Sequence, residues 1–210
     1  MSKGNIYILG FSGHALSVID ALKSKSKAVT GYFDQKINED TTWHYCGEES
    51  LEIISKILTS EDILFPSVGS NPLRKKMYSF IEECGVKMDS IFHVSAIISD
   101  TAVVGNSCFL SAGSIVNAKT RIGNAVIINT GAIIEHECLI SNFVHIGPGA
   151  VLAGNVTIDE CSFIGANSTI KQGVVIGKNV IIGSGSVVLN NVPDNSVFVG
   201  NPAKFLKYND

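Results

Sequence analysis

Ile122-Gly123-Asn124-Ala125-Val126-Ile127, Ile128-Asn129-Thr130-Gly131-Ala132-Ile133, Ile134-Glu135-His136-Glu137-Cys138-Leu139: three blocks of six follow one another, each opening on isoleucine with a small residue in fifth place. The frame runs from Phe92 to Pro193 without insertion or deletion, making seventeen blocks. Every first residue is apolar, and every fifth is Ala, Cys, Ser, Thr or Val. A strict short period marks a solenoid, in which each coil buries its apolar positions against the next. Three blocks make a triangular turn of 18 residues, so seventeen predict between five and six coils, stacked about 4.8 Å apart. First positions point inward, and short strands form the flat sides. Fourth positions supply Gly113, Gly131, Gly149, Gly173 and Gly185, with Asn155, Asn167, Asn179 and Asn191. These residues tolerate the left-handed backbone of a tight corner. The hand of the coil is not readable from the period.

The first ninety residues have another texture. An apolar strand, Asn5–Leu9, leads into Gly10-Phe11-Ser12-Gly13-His14-Ala15 and an amphipathic helix over Ala15–Lys23. A second strand, Ala28–Phe33, ends at Asp34. Ser50 is placed to cap a helix over Leu51–Leu58. A third strand, Asp62–Val68, ends in the turn Gly69-Ser70-Asn71-Pro72, and a helix over Leu73–Cys84 stops at Gly85. Strands alternating with helices imply a small parallel sheet, whose ligands sit beyond the carboxyl ends of its strands. The predicted organisation is an α/β unit over residues 1–90, a β-solenoid over 91–193, and a cap or tail over 194–210.

Charged residues make up only 17% of the 210, as suits a solenoid built on aliphatic columns. The net charge of −3 without a basic run argues against nucleic acid as the main partner. The apolar runs are short of the roughly 20 residues a membrane span needs, and Met1-Ser2-Lys3-Gly4-Asn5 carries no signal-peptide pattern, so the expected location is cytoplasmic. Cysteines 46, 84, 108, 138 and 161 show neither CxxC spacing nor a metal framework. Cys108 and Cys138, at fifth positions, read as reduced inward packing groups, and no metal is expected.

The frame locates chemistry. His136 is third in its block, hence at an outward corner, and acidic residues flank it on both sides. A carboxylate bonded to one ring nitrogen would orient the imidazole as a base. Eighteen residues on is Gly154, one coil up at the same corner, where a substrate could approach the backbone and its N–H could meet an oxyanion. His145 lies half a coil further round; it cannot stack on His136 within one chain but could approach it across a subunit contact. The Gly10–Ala15 turn could receive a phosphate on its backbone N–H groups, and Asp34 could bind ribose hydroxyls. A plain tight turn with a strand-end aspartate fits the same residues.

The hexads, Glu135-His136-Glu137, the leading Gly-x-Ser-Gly-His turn, Ala153-Gly154-Asn155-Val156 and the closing Phe198-Val199-Gly200-Asn201-Pro202-Ala203-Lys204 together resemble a bacterial family across essentially the whole chain. These are the left-handed β-helix sugar acetyltransferases (NeuD- and PglD-like), which include nucleotide-aminosugar N-acetyltransferases and sialic acid O-acetyltransferases. The resemblance implies a left-handed parallel β-helix, a homotrimer with sites between subunits, and acetyl-CoA as cosubstrate. It implies His136 as general base oriented by Glu137, and His145, Gly154, Ala166, Gly173 and Lys204 as the cosubstrate-binding set. In the sheet domain Gly10, Ser12, Gly13, His14, Asp34, Gly69 and Asn71 match positions that hold a nucleotide-sugar. Phe11, Ala15 and Gln35 depart from the pattern of relatives. The expected reaction is N-acetylation of a nucleotide-linked 4-amino-4,6-dideoxy sugar for surface glycan synthesis. O-acetylation of sialic acid or another sugar is the alternative, and a nucleotide-binding scaffold trimer is the non-enzymatic one.

Overall fold

The computed structural model describes residues 4–39 and 41–209; Met1-Ser2-Lys3 of the leader reading, and Asp210 of the tail, lie outside them. The chain begins with β1 (Ile6–Leu9), α1 (Gly13–Ser24), β2 (Gly31–Phe33), β3 (Tyr45–Gly47), α2 (Leu51–Ile57), β4 (Ile63–Pro66) and α3 (Asn71–Cys84). The sheet is parallel with order β3-β2-β1-β4. Its fourth strand, β3, had no signal in the sequence. It is three residues long, too short for a period to show.

Alternation along the strands sorts the sheet into two faces. Tyr7, Leu9, Phe33 and Leu64 pack with Ile54 of α2 and Met77 and Ile81 of α3. Ile8, Tyr32 and Phe65 pack with Ala15, Val18, Ile19 and Leu22 of α1. The same cluster continues into Ile91, Phe109 and Ile127 of the solenoid, so α1 is shared between the two parts. The helices begin earlier than expected at Gly13 and Asn71. Ser50 Oγ caps α2 by accepting the Ile53 N–H at 3.3 Å, and Gly85 ends α3 at φ 64°.

Seventeen two-residue strands follow, β5 (Ile91–Phe92) to β21 (Val187–Val188), one per hexad. They stack in parallel on three faces of a left-handed β-helix. The first face carries Ile91–Phe92, Phe109–Leu110, Ile127–Ile128, His145–Ile146, Phe163–Ile164 and Ile181–Ile182, and continues into β22 (Ser196–Val199) and β23 (Lys204–Tyr208). The tail therefore extends a sheet as a hairpin, which covers the open end. First positions from Leu110 to Val188 are buried, and the fifth-position Cys108 and Cys138 lie in the same core as free thiols. Each such aliphatic side chain contributes about 2 kcal/mol of burial.

The corners hold a wider rule than the sequence suggested. All fourth positions from Ser107 to Gly185 have positive φ, including Lys119 (61°), Ala125 (50°), Glu137 (61°), Phe143 (60°) and Cys161 (62°). A non-glycine residue there costs roughly 1–2 kcal/mol. From Gly113 to Gly185 each corner also gains a bond between coils, such as Glu137 N–H to Ala118 O at 2.9 Å and Asn155 N–H to His136 O at 2.8 Å. Asn191 is the exception to the expectation: it is not left-handed, and its Oδ1 instead accepts the Val175 N–H at 2.9 Å.

Candidate active site

Two groups of residues carry chemistry, on opposite sides of the β-helix. The first is the corner between the second face (Ile133–Ile134) and the third (Leu139–Ile140). Ala118, His136 and Gly154 occupy its third positions in successive coils. His136 Nδ1 lies 3.1 Å from Glu137 Oε2, and both side chains are about half exposed (52% and 53%). A carboxylate oxygen only accepts, so Nδ1 carries the hydrogen, and in the neutral ring the free lone pair is on Nε2. The left-handed φ of Glu137 turns its side chain back beside the ring instead of along the strand.

Gly154 sits against the imidazole as the coil arithmetic predicted. A Cβ added there would come 2.5 Å from His136 Cε1 and 2.6 Å from Nε2. Among the described residues the Gly154 N–H has no acceptor, while its carbonyl receives the Gly173 N–H at 3.0 Å. Gly173 shares this corner and faces open space. A cleft of about 280 Å³ adjoins Glu137, lined by Thr101, Val103, Lys119 and Arg121.

The second group lies where the sheet domain meets the first face. Gly10, Asp34 and Gly69 follow β1, β2 and β4, at the carboxyl ends of the strands. Gly10 has φ 85°, and a Cβ there would come 2.6 Å from Val68 Cγ1, so only glycine fits. Asp34 Oδ2 accepts the Phe11 N–H and Oδ1 its neighbour Gln35's, both at 2.7 Å. The carboxylate thus holds the Gly10–Gly13 turn in shape and retains lone pairs for a ligand. Ser12 precedes α1 without a side-chain cap bond, and Gly13 has no neighbour in the space a Cβ would take. Phe11, a departure from the family pattern, stacks on Tyr32 with ring centroids 4.4 Å apart.

His14 and His145 converge here, 6.4 Å between ring centroids. The hexad frame lets His145 approach His136 only across a subunit contact; the structure buries it under its own sheet domain, 9% exposed. Its Nδ1 lies 3.2 Å from the Gly69 carbonyl and its Nε2 3.2 Å from Asn129 Nδ2. The carbonyl accepts and the amide NH₂ donates, so this imidazole is neutral with its hydrogen on Nδ1. Burial, then the charge of Arg74, push it down to about 4. His14 stands edge-on to Phe109, and its buried Nε2 has no partner among the described residues. Burial, helped by His145 and Arg74, pushes it down to about 3. A cavity of about 410 Å³ opens beside this junction, lined by Gly69, Ser70, Asn71, Phe163, Ile181 and Asn209.

The structure thus brings His136, Glu137, Gly154 and Gly173 to one corner, and Gly10, Ser12, Gly13, His14, Asp34, Gly69, Asn71 and His145 to the other side. Ala166 lies at the remaining edge of the second face, its N–H likewise without an acceptor among the described residues. Lys204 is exposed on β23. Among the described residues no group of three His, Cys, Asp or Glu side chains could hold a metal ion. Sequence reading missed Arg74 and Asn129. Arg74 did leave a signal: it falls on the α3 stripe of Asn71, Tyr78 and Ile81, where a charge faces inward.

The PglD N-terminal domain family matches residues 5–81, and the bacterial transferase hexapeptide (six repeats) family matches 137–172 and 160–190. A variant of GDP-perosamine N-acetyltransferase from Caulobacter crescentus, in complex with CoA and GDP-perosamine, is 31% identical, covers 98% of both chains and superposes with TM-score 0.92. The chain belongs to the bacterial left-handed β-helix sugar acetyltransferases. Two further solved members are similar over nearly their whole length. The acetyltransferase domain of PglB from Neisseria gonorrhoeae, in complex with acetyl coenzyme A, is 29% identical over 97% of this chain and 100% of its own (TM-score 0.90). WeeI from Acinetobacter baumannii is 25% identical over 96% and 99% (TM-score 0.87). For this acetyltransferase the match spans both the sheet domain and the β-helix, so both groups of residues belong to one enzyme architecture. No helix among the described residues is long and apolar enough to cross a membrane.

Proposed function

We propose that this sugar acetyltransferase transfers the acetyl group of acetyl-CoA to the amine of a nucleotide-linked 4-amino-4,6-dideoxy sugar, with His136 as general base. The observation that carries the reading is the His136–Glu137 pair beneath Gly154: one ring nitrogen is committed to a carboxylate, and the other faces a corner without a side chain above it. The neighbour that covers 98% of both chains was solved with CoA and GDP-perosamine, a nucleotide-linked amino sugar, which supports the substrate class.

The chemistry follows from the free lone pair. The sugar amine attacks the thioester carbonyl carbon, forming the C–N bond, and His136 Nε2 takes the proton the nitrogen sheds. The tetrahedral oxyanion is met by a backbone N–H such as that of Gly154, and the C–S bond breaks to release CoA thiolate. Glu137 stabilises the imidazolium as it forms. Direct attack needs no acyl-enzyme, and burial raises all five cysteine thiols above their usual range.

The two groups of residues cannot serve one substrate within one chain, because the sheet domain covers the first face and His136 lies at the corner opposite it. A homotrimer resolves this: the nucleotide-sugar rests on the sheet domain of one protomer, and its amine meets His136 of the next. Ile97, Val103, Leu139 and Val175 stand 40–61% exposed on the uncovered faces, an apolar surface suited to such packing. The groove between protomers would then join Gly154 of one chain to Ala166 of another along acetyl-CoA.

The test is CoA release from acetyl-CoA with 4-amino-4,6-dideoxy sugars linked to GDP, UDP or dTDP, against sialic acid. The expected product is the N-acetyl sugar, and His136→Asn should lower kcat/KM by about 10²–10⁴-fold. Turnover of sialic acid alone, or full activity in a folded His136→Asn protein, would overturn the reading.

A further inference from the structure

Arg74 is 1% exposed, the largest side chain so thoroughly buried, and none of its bonds goes to a carboxylate. All three guanidinium nitrogens are instead spent on neutral acceptors. Nε donates to Ala125 O at 2.7 Å. Nη1 donates to Gly69 O at 3.0 Å and Val68 O at 3.3 Å. Nη2 donates to Asn71 Oδ1 at 2.7 Å, Phe143 O at 2.9 Å and Val144 O at 3.3 Å. Burying a cation without a counter-ion is costly, and such a group persists only when its hydrogens are well satisfied. Replacement by an apolar side chain would often stabilise a core, so packing alone is a poor reason for arginine here.

The acceptors have a pattern. Ala125 and Phe143 are fourth-position corner residues one coil apart, and Cys161 is the next at the same corner. Asn71, one helical turn before Arg74, donates through Nδ2 to Cys161 O at 2.9 Å and Ser162 O at 3.1 Å. Helix α3 therefore reads three successive coils, with Arg74 on two of them and Asn71 on the third. Arg74 also holds the Gly69 carbonyl that accepts from His145 Nδ1, and the Val144 carbonyl next to His145.

We infer that Arg74 is a positioning residue: with Asn71 it sets the register of the Gly69–Asn71 turn on the β-helix, and so fixes the orientation and tautomer of His145 beside the nucleotide-sugar site. Planarity and five donors in a fixed fork suit the task, and a lysine ammonium cannot reproduce them. Of the titratable groups facing His145, Arg74 from α3 is charged and His14 from α1 is held neutral by burial; Asn129 and Phe163 from the β-helix carry no charge. The consequence for substrate rests on the proposed function, whereas the consequence for His145 does not.

The test is nitrogen-15 NMR of histidine-labelled full-length protein, with His145→Gln assigning the signal, beside steady-state kinetics. In the unaltered protein His145 should be the neutral Nδ1–H form at pH 7 and remain uncharged down to pH 5. Arg74→Lys keeps the charge but loses the fork, and should give a mixture of tautomers. It should also raise KM for the nucleotide-sugar about tenfold or more, the scale of a small misplacement, with kcat changed less than threefold. Asn71→Ala should move both readouts in the same direction by a smaller factor. An unchanged His145 signal and unchanged KM in a folded Arg74→Lys protein would overturn the inference. Should Arg74→Lys fail to fold, an Nε2–H tautomer or a titration near 6.5 for His145 in the unaltered protein would overturn it equally. If no nucleotide-sugar is a substrate, the proposed function fails and the tautomer result still judges Arg74.

Discussion

A methyl group placed on Gly154 would lie 2.6 Å from His136 Nε2, well inside contact distance, although the two residues are a full coil apart in sequence. The corner is thus open on the side from which the reacting atoms arrive. Gly154 does not have a positive φ, so alanine is acceptable to the backbone there, and the half-exposed imidazole would swing away. Gly154→Ala should therefore lower kcat/KM at least tenfold while the melting temperature moves by only a few degrees. Parallel activity assays and thermal melts check this; a loss of activity matched by unfolding would count against it.

Glu137 acts through His136 Nδ1 at 3.1 Å. Glu137→Gln keeps the shape but offers no charge to the imidazolium. A fall in kcat of roughly 10–100-fold is expected, with KM for both substrates little altered, because the interaction strengthens only as the proton arrives. Steady-state kinetics with each substrate varied in turn would show it.

The proposed sharing of sites between protomers predicts complementation. His136→Asn and a sheet-domain variant such as Asp34→Ala should each be nearly inactive alone. Unfolded together and refolded, they should regain a fraction of activity, since some interfaces then combine two intact halves. Light scattering should report a trimer throughout. No recovery in mixed trimers would argue for a site within one chain.

The two buried histidines make stability depend on pH. Their folded values, about 3 for His14 and about 4 for His145, lie below the unfolded value of 6.5. The unfolded chain therefore binds more protons between those limits. Stability is fully present above about pH 6.5 and falls as the pH drops toward 4. At pH 5 the loss is on the order of 2 kcal/mol for one such ring. Melting temperatures measured from pH 7.5 to 4.5 should decline, and His145→Gln should flatten the decline; equal slopes in the two proteins would contradict the assignment.

Much of this enzyme was legible because a six-residue period is local information. Each hexad repeats the same backbone, so counting along the chain placed His136 at an outward corner, Gly154 above it and Cys138 inside. The strand ends of the sheet domain were legible for a similar reason, since Gly10, Asp34 and Gly69 punctuate apolar runs. The corner rule was only half visible. Glycine and asparagine advertise left-handed backbone, but Glu137 and Phe143 adopt it because the bond to the coil below offsets its cost.

The sequence alone therefore determined the coil, the face each hexad residue occupies and the His136–Glu137 pair, all set by neighbours within 18 residues. Tertiary structure decided how the sheet domain sits on the first face, which buried His145 against Gly69 and carried that group away from His136. That docking depends on Arg74 and Asn71 meeting carbonyls 51 to 91 residues away. Backbone carbonyls exist at every residue and carry no signature of which will be chosen, so no period or motif could announce the contact.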